Sequence, residues 1–126
     1  MPTTVKEMLA AARAVVPTIA PKDAVALIGR SDVLLVDVRD SHELRDIGKI
    51  PGAVNVSRGM LEFRADPTSP LYDKVFDQEK TVIVYCALGA RAALAGKALL
   101  ELGYTKVHNL GAFKDWVESG GKVEKI

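Results

Sequence analysis

The stretch Thr81-Val-Ile-Val-Tyr-Cys86-Ala-Leu-Gly-Ala-Arg91 decides the fold. Its first five residues are β-branched or aromatic without interruption, the pattern of a strand buried on both faces. From Ala90 to Leu102 the composition turns to alanine and leucine. Leu94, Ala95, Ala98, Leu99 and Leu102 recur at helical spacing, with Lys97 and Glu101 pointing away, so a helix is predicted there. Gly96 inside it costs about 1 kcal/mol against alanine, a cost that close packing on a sheet would explain. Cys86, the only cysteine, therefore stands where a strand hands over to a helix N-terminus. Unpaired N–H groups and the positive end of the helix dipole converge at such a point, and their field favours a reactive thiolate.

Outward from this stretch the same alternation recurs. Thr4 and Glu7 have the spacing of a capping box. Val5, Met8, Leu9, Ala12, Val15 and Val16 then fall on one helical face. Pro21 opens a short helix over residues 22–28, closed by Gly29. Val33-Leu-Leu-Val-Asp37 is a second doubly buried strand, and Asp40 and Glu43 can cap a short helix after it. Residues 53–56 make a short strand after the Ile50-Pro-Gly52 turn, and residues 60–65 a helix. Residues 67–80, with two prolines and several charges, are expected as a surface loop. Residues 106–110 are the last strand and 112–118 the last helix. Strands alternating with helices imply an α/β fold with a parallel sheet covered on both faces. Ligand sites in such sheets lie at the carboxyl ends of the strands, where Cys86 falls.

Composition narrows the function classes. With 126 residues, 48% hydrophobic and 26% charged, the chain suits one compact domain. Seventeen basic and 16 acidic residues give a net charge of +1, no footprint for nucleic acid or a membrane surface. A single cysteine excludes an intramolecular disulfide and fits a reducing compartment, so a cytoplasmic location is expected. Arg13 interrupts the apolar N-terminal stretch, which argues for an amphipathic helix over a signal sequence. No run approaches membrane-spanning length. One cysteine and two distant histidines make no zinc pattern.

Residues 87–91 bring five backbone N–H groups to the sulfur. Curled around it, they form a nest for an anion, on the thiolate or on a group bonded to it. Gly89 permits the tight turn. Arg91 adds a fixed charge whose fork can clamp an oxyanion, or is ion-paired, since a bare cation at a helix N-terminus is unfavourable. This arrangement suits a covalent cysteine intermediate carrying sulfur or phosphate.

The chain resembles the single-domain rhodanese family of sulfurtransferases. Cys86-Ala-Leu-Gly-Ala-Arg91 matches C-x-x-G-x-R, and Asp37-Val-Arg39 with Glu43 matches D-V-R-x-x-x-E. Gly48-Lys-Ile-Pro-Gly-Ala-Val-Asn55 matches G-H-I-P-G-A-x-N, with Lys49 for histidine. Gly111 and Trp116 match the closing G-G-x-x-x-W, with Ala112 for the second glycine. Four motifs in the right order are far more specific than any one of them. The likeness implies a three-layer fold with about five parallel strands, residues 1–19 forming a helical extension and 20–126 the rhodanese-like domain.

The resemblance also implies the chemistry. Cys86 would take a sulfane sulfur from a donor such as thiosulfate and hold it as a persulfide. It would then pass the sulfur to cyanide or a thiol, with no metal or organic cofactor. A protein persulfide is a further candidate donor. The backbone of Ala87, Leu88, Gly89, Ala90 and Arg91 would bind the carried sulfur. Relatives of this fold that act as phosphatases or arsenate reductases use a loop one residue longer; here Cys86 to Arg91 is six residues, which favours sulfur. A sulfur-carrier or protein-docking module without free turnover is the other alternative. Asp37, Arg39 and Glu43 are expected to support the site, with an Arg39–Glu43 salt bridge beside it. Ala92 replaces a hydroxyl residue common in the family, Lys49 is expected to show its ammonium to water, and Trp116 to anchor the last helix. The N-terminal helix packs on its own domain or on a second subunit, as a monomer or homodimer.

Overall fold

The computed structural model describes residues 2–126. Its elements are α1 (Val5–Val15), α2 (Pro21–Val25), β1 (Val33–Asp37), α3 (Ser41–Ile47), β2 (Val54–Asn55), a 3-10 turn (Arg58–Met60), α4 (Leu61–Ala65), β3 (Thr81–Cys86), α5 (Ala90–Glu101), β4 (Val107–Ala112) and α6 (Phe113–Glu118). The four strands are all parallel in the order β2-β1-β3-β4, so the two doubly buried runs are the central pair. About five strands were expected. A fifth position exists only as a single-residue bridge, Thr18 to Asn109, closed by Asn109 N–H to Pro17 O (2.8 Å) and Ile19 N–H to Asn109 O (3.0 Å). Pro17 lacks an N–H to continue a ladder, and the segment instead covers the β4 edge.

Side chains alternate across the sheet with the period of two that a strand imposes. Leu34, Val36, Val82, Val84, Cys86 and Val107 face one layer, packed by Ala92, Ala95 and Leu99 of α5 and by Val16. Leu35, Ile83, Tyr85 and Leu110 face the other, packed by Ala24, Phe113 and Trp116. Gly96 is explained on the first face, though less by the sheet than by α1. A Cβ there would lie 2.8 Å from Val16 Cγ1 and 3.5 Å from Val107 Cγ1.

The N-terminal helix packs on its own domain through Ala12 and Val16, while Val5, Met8 and Val15 stay exposed. Its Thr4–Glu7 capping box is formed. Residues 67–80 hold no helix or strand, yet they are not wholly surface. Phe76 is fully buried and meets the Tyr104 ring edge-on at 6.4 Å. No helix is long and apolar enough to cross a membrane among the described residues.

Candidate functional site

Cys86 ends β3 with its side chain on the α5 face, and the residue is 1% exposed. Its Sγ accepts the backbone N–H of Gly89 (3.0 Å) and of Ala92 (3.3 Å). Gly89 takes φ +100°, a left-handed value that bends the loop back over the sulfur just before α5 begins. Negative charge on this sulfur, or on an atom bonded to it, thus meets donors fixed by the backbone rather than by mobile side chains. The Ala92 donor lies one residue beyond the six-residue loop. The alanine side chain carries no sign of this role, which comes from the backbone, since every first-turn N–H of a helix is a free donor. Ala87 and Ala90 of the loop are half-buried, and Leu88 at the tip is 80% exposed.

Arg91 is ion-paired. Its Nη1 and Nη2 donate to Glu43 Oε1 (2.8 Å) and Oε2 (3.0 Å), a two-pronged pair spanning 48 residues of sequence. Glu43 Oε1 also accepts the Asp40 N–H (3.1 Å), the return half of the α3 capping box. The Arg91 hydrogen bonds outweigh partial burial and hold the Glu43 carboxyl down at about 2, while the same bonds raise the Arg91 guanidinium. The expected Arg39–Glu43 bridge does not form. Glu43 belongs to Arg91, and Arg39 belongs to Asp37.

The sign of the Glu43 effect fixes a pH window. Its carboxyl titrates lower in the folded chain than at the ordinary 4.5, so the pair's contribution is full above that value and is lost as pH falls towards 2. Glu43→Gln should therefore lower stability by about 1 kcal/mol at neutral pH, a figure reduced for solvent screening of a partly exposed pair. The gap between wild type and variant should stay flat above about pH 5 and close between 4.5 and about 2. Urea midpoints across that range measure it, and a gap that persists at pH 2 contradicts the pairing.

Asp37 and Arg39 lie on the opposite face of the sheet from the sulfur. Both are fully buried, with Arg39 Nε and Nη2 on the Asp37 carboxylate (2.7–3.1 Å). Nη2 also donates to Gly48 O (2.8 Å), and the guanidinium sits over the rings of Phe113 (4.5 Å) and Tyr85 (5.6 Å). Burial opposes the Arg39 charge, but the Asp37 hydrogen bonds and attraction leave it raised. Burial, reinforced by Asp37, pushes the Tyr85 phenol up as well. Asn55 completes the brace by donating to Asp37 O (3.0 Å) and Arg39 O (2.8 Å). Its role was hidden in the sequence, where it stood only as the end of a motif.

Lys49 departs from expectation: its ammonium is held by Ala53 O (2.8 Å) and lies 3.6 Å from Glu124, whose backbone bridges residue 49. Trp116 is a buried anchor, donating Nε1–H to Lys122 O (2.8 Å).

Known proteins are similar to this chain in sequence and fold. The human thiosulfate:glutathione sulfurtransferase is 30% identical over 109 residues, spanning 81% of this chain and 94% of its own. A solved structure from Rhodopseudomonas palustris, described as of unknown function and a possible tyrosine phosphatase, is 43% identical. It has a TM-score of 0.89 and the match covers 98% of this chain and 99% of that one. The polysulfide-sulfur transferase homodimer of Wolinella succinogenes is 39% identical with a TM-score of 0.76, covering 96% and 87%. The chain spans only 33% of a matching tRNA uridine(34) hydroxylase from Ehrlichia chaffeensis. The rhodanese-like domain model matches residues 20–119. With a parallel α/β sheet, a thiol cradled at the β3–α5 junction and that match over most of its length, the chain belongs to the rhodanese-like domain family, which includes sulfurtransferases.

Proposed function

We propose that this protein is a sulfurtransferase that accepts a sulfane sulfur, from a donor such as thiosulfate, as a persulfide on Cys86. The sulfur then passes to cyanide or a thiol. The observation that carries this reading is the Cys86 sulfur itself, which accepts two backbone N–H groups from a six-residue loop and its following helix turn. In the first step the Cys86 thiolate attacks the outer sulfur of thiosulfate. An Sγ–S bond forms, the S–S bond of the donor breaks, and sulfite leaves with the electron pair. In the second, cyanide attacks the terminal sulfur, giving thiocyanate and regenerating the thiolate. No external oxidant or reductant is consumed, and the double displacement predicts ping-pong kinetics. The loop N–H groups hold the charge of the carried sulfur, the Arg91–Glu43 pair fixes the loop against α3, and Asp37 with Arg39 braces the strand ends from beneath.

Phosphoryl transfer is the second reading, favoured by the description of the R. palustris structure and opposed by the short loop. Intact mass spectrometry after incubation with thiosulfate or inorganic polysulfide separates them. The expected result is one added sulfur atom on Cys86, removed by cyanide. No adduct with either donor on reduced protein, together with Cys86-dependent turnover of para-nitrophenyl phosphate, overturns the sulfurtransferase reading. An adduct that cyanide and thiols cannot discharge supports a carrier module instead.

A further inference from the structure

Every strand delivers a cation to the carboxyl end of the sheet, and each cation already faces a carboxylate. After β1, Arg39 is held by Asp37 at 2.7 Å. After β2, Arg58 is held by Glu62 at 2.8 Å. After β3, Arg91 is held by Glu43 at 2.8 Å. After β4, Lys114 Nζ lies 4.0 Å from Glu118 Oε1. Lys49 is turned to Ala53 O and Glu124. Arg45, two residues past Glu43, is rotated about 200° around the α3 axis away from it. Asp40, the α3 N-cap, adds negative charge close enough to act on Arg91. Within the loop that holds the sulfur Arg91 is the one cation, and both its Nη groups are committed to Glu43. A dianion arriving beside a thiolate would meet in that loop no unpaired counter-charge other than backbone dipoles. What the loop does offer is apolar: Ala87, Ala90 and, two residues after the buried Cys86, Leu88, which is 80% exposed.

Building on the persulfide chemistry above, we propose that this site takes its sulfur from an organic persulfide with an uncharged apolar tail, R–S–SH. Leu88 is the residue that receives the tail, and inorganic dianions such as thiosulfate are disfavoured. The Cys86 thiolate attacks the terminal sulfur of R–S–SH; the Sγ–S bond forms, the donor S–S bond breaks, and R–S⁻ leaves with the electron pair. The proton of the transferred sulfur passes to the departing R–S⁻, which leaves as R–SH, and the loop N–H groups hold the persulfide anion.

Single-turnover loading of Cys86, read by quenched intact mass, tests this with tert-butyl hydropersulfide and thiosulfate on wild type, Leu88→Ser and Leu88→Lys. Leu88 is exposed, so neither substitution disturbs the core. Leu88→Ser should lower the ratio of tert-butyl hydropersulfide loading to thiosulfate loading about tenfold. Leu88→Lys should speed thiosulfate loading about tenfold, an effect that vanishes near 1 M salt, where the Debye length is about 3 Å. A donor preference unmoved by both substitutions, or a wild type that thiosulfate loads as fast as the hydropersulfide, overturns the proposal and leaves the sulfurtransferase reading standing. If neither donor loads wild type, the persulfide reading falls and this one with it.

Discussion

Cys86→Ser is expected to reduce sulfur transfer to the uncatalysed background, a loss of at least about a thousandfold in kcat/KM. The groups that meet the sulfur are the backbone N–H donors of Gly89 and Ala92. They can hold an anion but cannot remove a proton. A serine hydroxyl in that cradle has no base to activate it, whereas an ordinary thiol in water already supplies a few per cent of thiolate at about pH 7 and is intrinsically far more nucleophilic. The hydroxyl can still accept the same two N–H groups, so the fold should survive and the urea midpoint should move little. Steady-state thiocyanate formation and the mass adduct provide the two readouts. Retention of more than a tenth of wild-type turnover would place the nucleophile elsewhere, and an unfolded variant would make Cys86→Ala the comparison to use.

Asp37→Ala should be the most destabilising of the site substitutions, by about 3–5 kcal/mol. Arg39 is 0% exposed and spends its Nε and Nη2 donors largely on the Asp37 carboxylate. Removing the carboxylate leaves a cation in a layer formed by Tyr85, Phe113 and Ile50, where water cannot replace the lost partner. Replacing both members, as Asp37→Leu with Arg39→Met, should recover part of the loss, because the desolvation of two charges is then no longer required. Urea unfolding of the wild type, both single variants and the double variant gives the coupling. A loss below about 1 kcal/mol for Asp37→Ala would show that the pair contributes little. Because the pair lies across the sheet from the sulfur, the folded fraction of Asp37→Ala should keep kcat/KM within about tenfold of wild type. That separates a brace from a catalytic group.

These two expectations differ in how far the sequence alone supported them. The place of the thiol was legible because that place is local. An apolar run, one cysteine, a glycine and a helix former in eleven residues specify a strand, a tight turn and a helix N-terminus. The capping boxes at Thr4–Glu7 and Asp40–Glu43 were legible for the same reason, since each closes within three residues. The bridge at Thr18 was not, because it depends on which sheet edge that segment meets. Phe76 was not, because a residue in a polar loop is buried only when Tyr104 comes to cover it.

By itself, then, the sequence determined the alternation of strands and helices, the two faces of each strand and the place of the thiol, all consequences of backbone periodicity. The tertiary structure alone decided who neutralises whom. Sheet order places β1 beside β3, so α3, which follows β1, and α5, which follows β3, both begin at the carboxyl ends of adjacent strands. Glu43 thereby reaches Arg91 across 48 residues, while Asp37 and Arg39, two apart in the chain, pair on the far face. Long-range ion pairs follow from which elements become neighbours, and no spacing within a single element encodes that.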